Sequence, residues 1–259
     1  MYTKADIINY FSLLGINSKG TLLVHSSMKS IGDVDGGAET VIDAFVEYMK
    51  HGLLIFPTHS WGKDNLVNDI YNPLTEPSCV GILSNIFMKK TGVVRSLHPT
   101  HSIAARGKDA LEYIQGEERF NTPCPRGGCW GRLYDRKAQI LFLGCSLKTN
   151  TFIHSVEEWC CVPNRLANKS KRIKIINPYG NDYHVDLYGH QSTYGDVSRN
   201  YDKLRDVLLY KGIAVKGLIG DARCYLCDTV GMGDITTKFL NYDIDLFADN
   251  RPIPLNWYK

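Results

Sequence analysis

Short apolar runs alternate with amphipathic stretches along most of the chain. TLLVH (21–25) is followed by AETVIDAFVEYMK (38–50), whose apolar positions recur at helical spacing, and then by the strand-like GLLIFPT (52–58). The alternation continues through helical CVGILSNIFMKK (79–90), strand-like GVVRS (92–96) and SIAARG (102–107), and helical KDALEYIQ (108–115). AQILFLG (138–144) reads as a strand and TFIHSVEEW (151–159) as a helix. RIKIINP (172–178) and DYHVDLYG (182–189) flank Tyr-Gly-Asn and predict an antiparallel hairpin. A helix over 199–211, strands at 213–219 and 222–227, and a helix near 228–240 complete the pattern. Such alternation predicts an α/β fold, a layered sheet with helices on its faces. No Pro/Ser-rich linker, repeat or low-complexity tract interrupts it, so residues 1–259 are expected to form a single domain. Residues 59–78, rich in Asn, Asp, Pro and Tyr, predict a long loop of the kind that covers a ligand.

Composition narrows the function classes. The 259 residues are 44% hydrophobic, and 30 Lys+Arg face 27 Asp+Glu, so nothing in the bulk charge calls for nucleic acid or an anionic membrane. The N-terminal MYTKADIINYFSLLG has helical spacing but neither a basic nor an apolar signal region, and no apolar run approaches the ~20 residues of a spanning helix. A cytoplasmic protein with a small-molecule partner is expected. Eight irregularly scattered cysteines then favour reduced thiols. Cys224-Tyr-Leu-Cys227 has the spacing of a metal half-site, and Cys124 and Cys129 form a looser pair. In a strand, however, positions i and i+3 face opposite sides, so no metal is expected.

Three constellations could carry chemistry. HSSMKSIGDVDGGAET (25–40) is a strand end followed by small residues and glycines before a helix, a turn able to present backbone N–H groups to phosphates or simply to start the helix. In RSLHPTHSIAARG (95–107), Pro99 holds His98 extended, and His98 and His101 line a site or merely occupy a polar loop. In TFIHSVEEW, Thr149 or Asn150 is placed to cap the helix. His154 then lies near its start, on one face with Glu157 and Glu158, where the helix dipole disfavours the protonated imidazole. A neutral imidazole is what a general base requires, with Glu157, Glu158 or the distant Asp196 as its orienting carboxylate. A plain capped surface helix is the competing reading.

Taken in order, GTLLVHSSMKSIGDVDGGAETVIDAF, GLLIFPTHSW, RSLHPTHSIAARG, the Cys124-Pro125 loop, AQILFLG, TFIHSVEEWCCVPNR and GLIGDARCYLCD resemble the aminoglycoside 3-N-acetyltransferase family over about residues 20–240. The resemblance implies a single α/β fold with a mixed central sheet flanked by helices, distinct from GNAT acetyltransferases, and acetyl-CoA as co-substrate. It assigns His25, Ser26, Ser27, Met28, Lys29, Ser30, Ile31 and Ser102 to coenzyme A. Thr151, His154 and Glu157 match the family's TxxHxxE pattern, which makes His154 the catalytic base. Asp196 falls near the position of the family's downstream carboxylate, although Glu is more usual there. The family's Ser-Pro loop reads Cys124-Pro125-Arg126 here.

The expected reaction is direct acetyl transfer to an amine, with His154 oriented by Asp196 or Glu157 and backbone N–H groups of the Ser26–Met28 turn meeting the oxyanion. The family's activity implies an aminoglycoside acceptor, whose positive charges would call for carboxylates such as Asp33, Asp35, Asp64, Asp69, Glu157 and Glu158. An amino sugar, nucleotide-linked or free, would instead need basic and aromatic groups. Two other classes stand beside these: a cysteine nucleophile, with Cys145 as candidate, and a non-catalytic CoA-binding module. The sequence leaves the oligomeric state open, a homodimer included.

Overall fold

The computed structural model describes residues 1–178 and 180–259. Its strands are β1 (Thr21–Ser26), β2 (Leu53–Pro57), β3 (Ile70–Tyr71), β4 (Val94–Arg95), β5 (Ile103–Gly107), β6 (Gln139–Leu143), β7 (Lys171–Ile175), β8 (Tyr183–Leu187), β9 (Ala214–Ile219) and β10 (Ala222–Asp228). The helices are α1 (Lys4–Leu14), α2 (Gly37–Tyr48), α3 (Ile82–Phe87), α4 (Ala110–Ile114), α5 (Cys129–Asp135), α6 (Thr151–Trp159), α7 (Arg205–Tyr210) and α8 (Thr229–Tyr242).

Seven strands form the central sheet in the order β4-β5-β2-β1-β6-β10-β9. The three innermost, β2, β1 and β6, run parallel, while β4, β5, β10 and β9 pair antiparallel with their neighbours. The sheet is therefore mixed. Parallel strands covered on both faces need apolar side chains at every position, which is why LLV, LLIF and ILFL are uninterrupted. The alternation is still visible in what each residue touches. Leu23, Leu53, Ile55, Ile140 and Phe142 enter one core, packed by α4 to α8. Leu22, Val24, Leu54, Phe56, Leu141 and Leu143 enter the other, packed by α1, α2 and α3. Each fully buried side chain of this size contributes about 1.5–3 kcal/mol.

The expected hairpin is present as β7 and β8, joined by β3 from the 59–78 loop into a separate three-stranded sheet. Within the turn expected there, Tyr179 lies outside the described residues. The 79–90 segment is helical only over Ile82–Phe87, because Gly81 takes φ +118° and the Asn85 side chain ties back to both backbone groups of Ser78. The 199–211 segment begins as a 3-10 turn (Val197–Leu204) before α7. Helix α5 escaped the periodicity because glycines punctuate it. Gly131 is required there, since a Cβ would meet the Arg126 carbonyl oxygen at 2.0 Å. Among the described residues no helix is long and apolar enough to cross a membrane.

Candidate active site

Strand β1 lies between β2 on one side and β6 on the other, so the chain leaves the parallel strands in opposite directions at this point. Open α/β sheets bind ligands at such switch points, beyond the carboxyl ends of the strands. A cleft of about 660 Å³ opens there, lined by His25 and Ser26 from β1, Pro57 and His59 from the end of β2, and Lys148, Thr149, Asn150, Thr151 and His154 around the start of α6. Gly144 shapes the turn that follows Ser26. It has φ +65°, and a Cβ there would lie 2.4 Å from the Ser30 Cβ, so only glycine lets the end of β6 pass beneath the 27–31 turn.

Asn150 occupies the N-cap of α6, but its side chain does not cap; its amide instead meets the Met232 sulfur at 3.2 Å. The first-turn N–H groups of α6 therefore face the cleft without a side-chain acceptor among the described residues, a favourable position for negative charge.

One turn into α6, His154 is held from behind. Its Nδ1 lies 2.7 Å from the Tyr201 hydroxyl and 3.5 Å from Glu157 Oε2. The Tyr201 hydroxyl donates to Glu157 Oε2 at 2.5 Å, and Arg165 Nε donates to Glu157 Oε1 at 2.6 Å. Glu157 is 1% exposed and Arg165 5%. Burial alone would raise the Glu157 pKa, but His154 and Arg165 outweigh it and hold the carboxyl below its usual value. Burial and the Glu157 charge push the Tyr201 phenol well above its ordinary value. Tyr201 thus keeps its proton and donates a hydrogen bond to Glu157, so the His154 Nδ1 must be the N–H that donates to the Tyr201 oxygen. Nε2 is left with its lone pair.

Five other histidines surround His154. His190 stacks on it with ring centroids 4.3 Å apart, and His101 lies 5.0 Å from His190 and 4.8 Å from His59. His25 stacks on Phe142 at 5.4 Å. Burial lowers the pKa of His25 to about 3 and of His98 to about 4, and that of His59 and His101 well below the ordinary range. His190 is lowered by burial and by the neighbouring His154. His98 is structural: its Nδ1 accepts from the His101 N–H at 2.9 Å and its Nε2 pairs with the Thr122 carbonyl at 3.0 Å.

The structure distributes the expected site residues unevenly. His154 lines the cleft with Glu157 beneath it. Asp196 also lines the cleft, but its carboxylate caps Ser198 and pairs with Arg199, and it is Tyr201 and Glu157 that hold His154. Of the coenzyme A segment, His25 and Ser26 line the cleft; Ser27 gives its N–H to the Leu143 carbonyl at 2.8 Å, Ser30 bonds the Gly144 carbonyl, Lys29 is exposed, and Ile31 is core. Met28, at the start of a 3-10 turn, is the residue of the Ser26–Met28 turn whose N–H is not committed to the sheet. Ser102 is fully buried under the cleft, bonded to Thr58 and Arg95. Asp33, Asp35, Asp64, Asp69, Glu157 and Glu158 do not line the cleft. Sequence reasoning passed over Tyr201, Arg165, Lys148 and His190: Tyr201 sits in the 3-10 start of the expected 199–211 helix and Lys148 in a single 3-10 turn, while Arg165 and His190 come from irregular segments, and no local pattern points any of them at His154.

Glu158 staples loops together, accepting from the Thr122 hydroxyl and the Cys124 N–H, each at 2.7 Å, with His190 Nε2 at 3.3 Å. Ligand atoms of Cys124, Glu158 and His190 lie within 4.8 Å of one another, a grouping able to approach a cation. Burial and the Glu158, Glu117 and Glu157 charges push the Cys124 thiol well up, so this arrangement holds a neutral thiol. Cys224 and Cys227 are buried on opposite faces of the sheet. Cys145 is no activated nucleophile, since burial raises its thiol to about 11.

Residues 23–241 match the sequence model of the aminoglycoside 3-N-acetyltransferase family. The chain is similar to the SPbeta prophage-derived aminoglycoside N(3')-acetyltransferase-like protein YokD of Bacillus subtilis (strain 168), 26% identical with 93% of each chain covered. Its fold is similar to that of a histidine-to-alanine mutant of aminoglycoside acetyltransferase AAC(3)-IVa in complex with a gentamicin, with a TM-score of 0.81, 24% identity and 95% and 91% of the two chains covered. It is likewise similar to AAC-VIa bound to sisomicin, with a TM-score of 0.78, 19% identity and 93% and 98% covered.

Proposed function

This chain belongs to the aminoglycoside 3-N-acetyltransferase family, a family of N-acetyltransferases, and from that premise we propose that it moves the acetyl group of acetyl-CoA to an amine of a sugar-like acceptor, with His154 as general base. The observation that carries the reading is the His154–Tyr201–Glu157–Arg165 relay, which fixes the imidazole as the Nδ1–H tautomer and leaves Nε2 free at the cleft. Amines of the relatives' ligands, gentamicin and sisomicin, are one acceptor class this reading admits.

The cleft fits an acyl-CoA by its donors. The open first turn of α6, the exposed Lys148 ammonium and the Ser26 hydroxyl border a space of about 660 Å³, with Met28 in the turn that follows Ser26. Acetyl-CoA supplies the reactive thioester. His25 and Ser26 border the acyl end; Ser27, Met28, Lys29, Ser30 and Ile31 shape the turn behind them, and Ser102 supports it from below. An ammonium has no lone pair, so His154 Nε2 takes a proton from the acceptor amine as it attacks, and returns it to the departing sulfur. Tyr201 and Glu157 hold the ring and stabilise the imidazolium formed meanwhile, and Arg165 keeps Glu157 ionised. Backbone N–H groups of Met28 and of the α6 first turn are the donors for negative charge developing on the acyl oxygen.

The test is release of CoA thiol from acetyl-CoA on addition of amines. Release that depends on the amine and collapses in His154→Ala is expected. Release by wild type and variant at equal rates, with acetyl-CoA saturating, refutes the assignment.

A further inference from the structure

Adjoining the cleft, and sharing His154, His190 and Asp196 with it, lies a second cavity of about 310 Å³, bordered also by Arg165, Gln191 and Ser192. It sits at the small end of ligand sites, roughly 300–1,000 Å³, and suits one ring rather than several joined ones. Its charges are unusual for an enzyme that would hold a polycation. Across this cavity and the main cleft, Asp196 is the one acidic lining residue among the described residues, set against Lys148 and Arg165. Asp196 is already engaged with Ser198 and Arg199. Glu157 and Glu158 lie beneath, each saturated by neighbours. An acceptor with several ammonium groups would find no net negative field here.

Arg165 offers the opposite. It is 5% exposed, its Nε is spent on Glu157 and its Nη1 on the Pro163 carbonyl at 3.3 Å, and its Nη2 is buried with no hydrogen-bond partner among the described residues. A buried guanidinium donor left unpaired is costly and is rarely tolerated without purpose. Its cover is the Tyr194 ring, 5.9 Å from the guanidinium carbon and itself 48% exposed, a side chain that a ligand can displace.

We propose that the 310 Å³ cavity is the acceptor subsite and that it selects an amine carrying an anionic group, a carboxylate or a phosphate, bound by Arg165 Nη2. The proposal rests on the acetyl-transfer reading for the reaction and adds the acceptor's charge. A guanidinium donor reads such oxygens well, and Arg165 borders the same cavity as the base His154.

The experiment compares glucosamine, glucosamine 6-phosphate, 2-amino-2-deoxyglucuronate and kanamycin, by thiol release with acetyl-CoA and by calorimetric titration in the presence of CoA. Expected are kcat/KM values at least about tenfold higher for an anionic amine than for glucosamine, with kanamycin lowest. The phosphate and carboxylate arms tell the two anions apart. Gln191→Glu, an exposed position on the cavity whose backbone N–H bonds the Arg165 carbonyl, should cut the anionic-to-neutral ratio about fivefold. Arg165→Lys should do the same with a larger loss. Kanamycin turned over as well as the anionic amines, or a ratio unmoved by both variants, overturns the proposal while leaving acetyl transfer intact. No thiol release from any amine refutes the acetyl-transfer reading instead. Titration then decides the subsite: preferential binding of the anionic amines upholds it, and absent binding or a preference for kanamycin overturns it.

Discussion

His154 depends on atoms that are far away in sequence. General-base help is worth about 10²–10⁴-fold, so His154→Ala should lower kcat by that factor with the KM for acetyl-CoA little changed, as measured by steady-state thiol release. Tyr201→Phe removes the hydroxyl that accepts from Nδ1 and donates to Glu157. The loss of a hydrogen bond to a charged group, about 1.5–3 kcal/mol, predicts a fall in kcat of roughly ten- to a hundredfold. An unchanged melting temperature alongside that fall would separate ring positioning from general loosening. Glu157→Gln leaves the buried Arg165 guanidinium without its counter-charge, a change that typically costs about 3–5 kcal/mol and is read by denaturant unfolding. Cys145→Ala should leave turnover as it is, because a thiol raised to about 11 contributes no nucleophile near neutral pH.

At the scale of elements, the site is made by two strand ends and a helix start meeting at a switch point. The apolar runs of β1 and β6 fix these strands as neighbours on the inside of the sheet, and Gly144 lets their exits cross. Gly144→Ala would set a Cβ against Ser30 at a φ of +65°, which costs about 1–3 kcal/mol and displaces the 27–31 turn. The expected outcome is a raised KM for acetyl-CoA, measured at saturating amine, with kcat affected less. Helix α6 was legible as an amphipathic element in TFIHSVEEW. Its cap was not: Asn150 stands at the right position and turns its amide to Met232 instead. That choice belongs to packing between α6 and α8, and it is what leaves the helix N-terminus open to a ligand.

Across the whole molecule, histidines from the end of β1, two loops and the β8 exit are buried in neutral form around the cleft. Each binds a proton in the unfolded chain near its ordinary pKa of about 6.5, but in the folded chain burial lowers it, to about 3 for His25, about 4 for His98 and well below the ordinary range for His59 and His101. The unfolded state therefore holds more protons between about pH 6.5 and those values, and stability falls on acidification through that window. Each such histidine steepens the loss by about 1.4 kcal/mol per pH unit, so melting temperature should drop well before the carboxylates titrate. A melting temperature flat from pH 7 to 5 would contradict this.

The α/β alternation, the buried strands, the β7–β8 hairpin and the suspicion attached to His154 were all written in the chain, because periodicity, turn residues and ordered motifs are local properties. So was the place of Glu157 beside His154, three residues on along one helix face. Folding alone settled that Tyr201 bridges that pair, that Arg165 neutralises Glu157, that Asp196 is occupied elsewhere, and that the acidic residues expected around an acceptor do not line the cleft. Those outcomes hang on which loops the sheet brings to one end. Contacts between segments tens of residues apart are set by packing and burial, which no local pattern records.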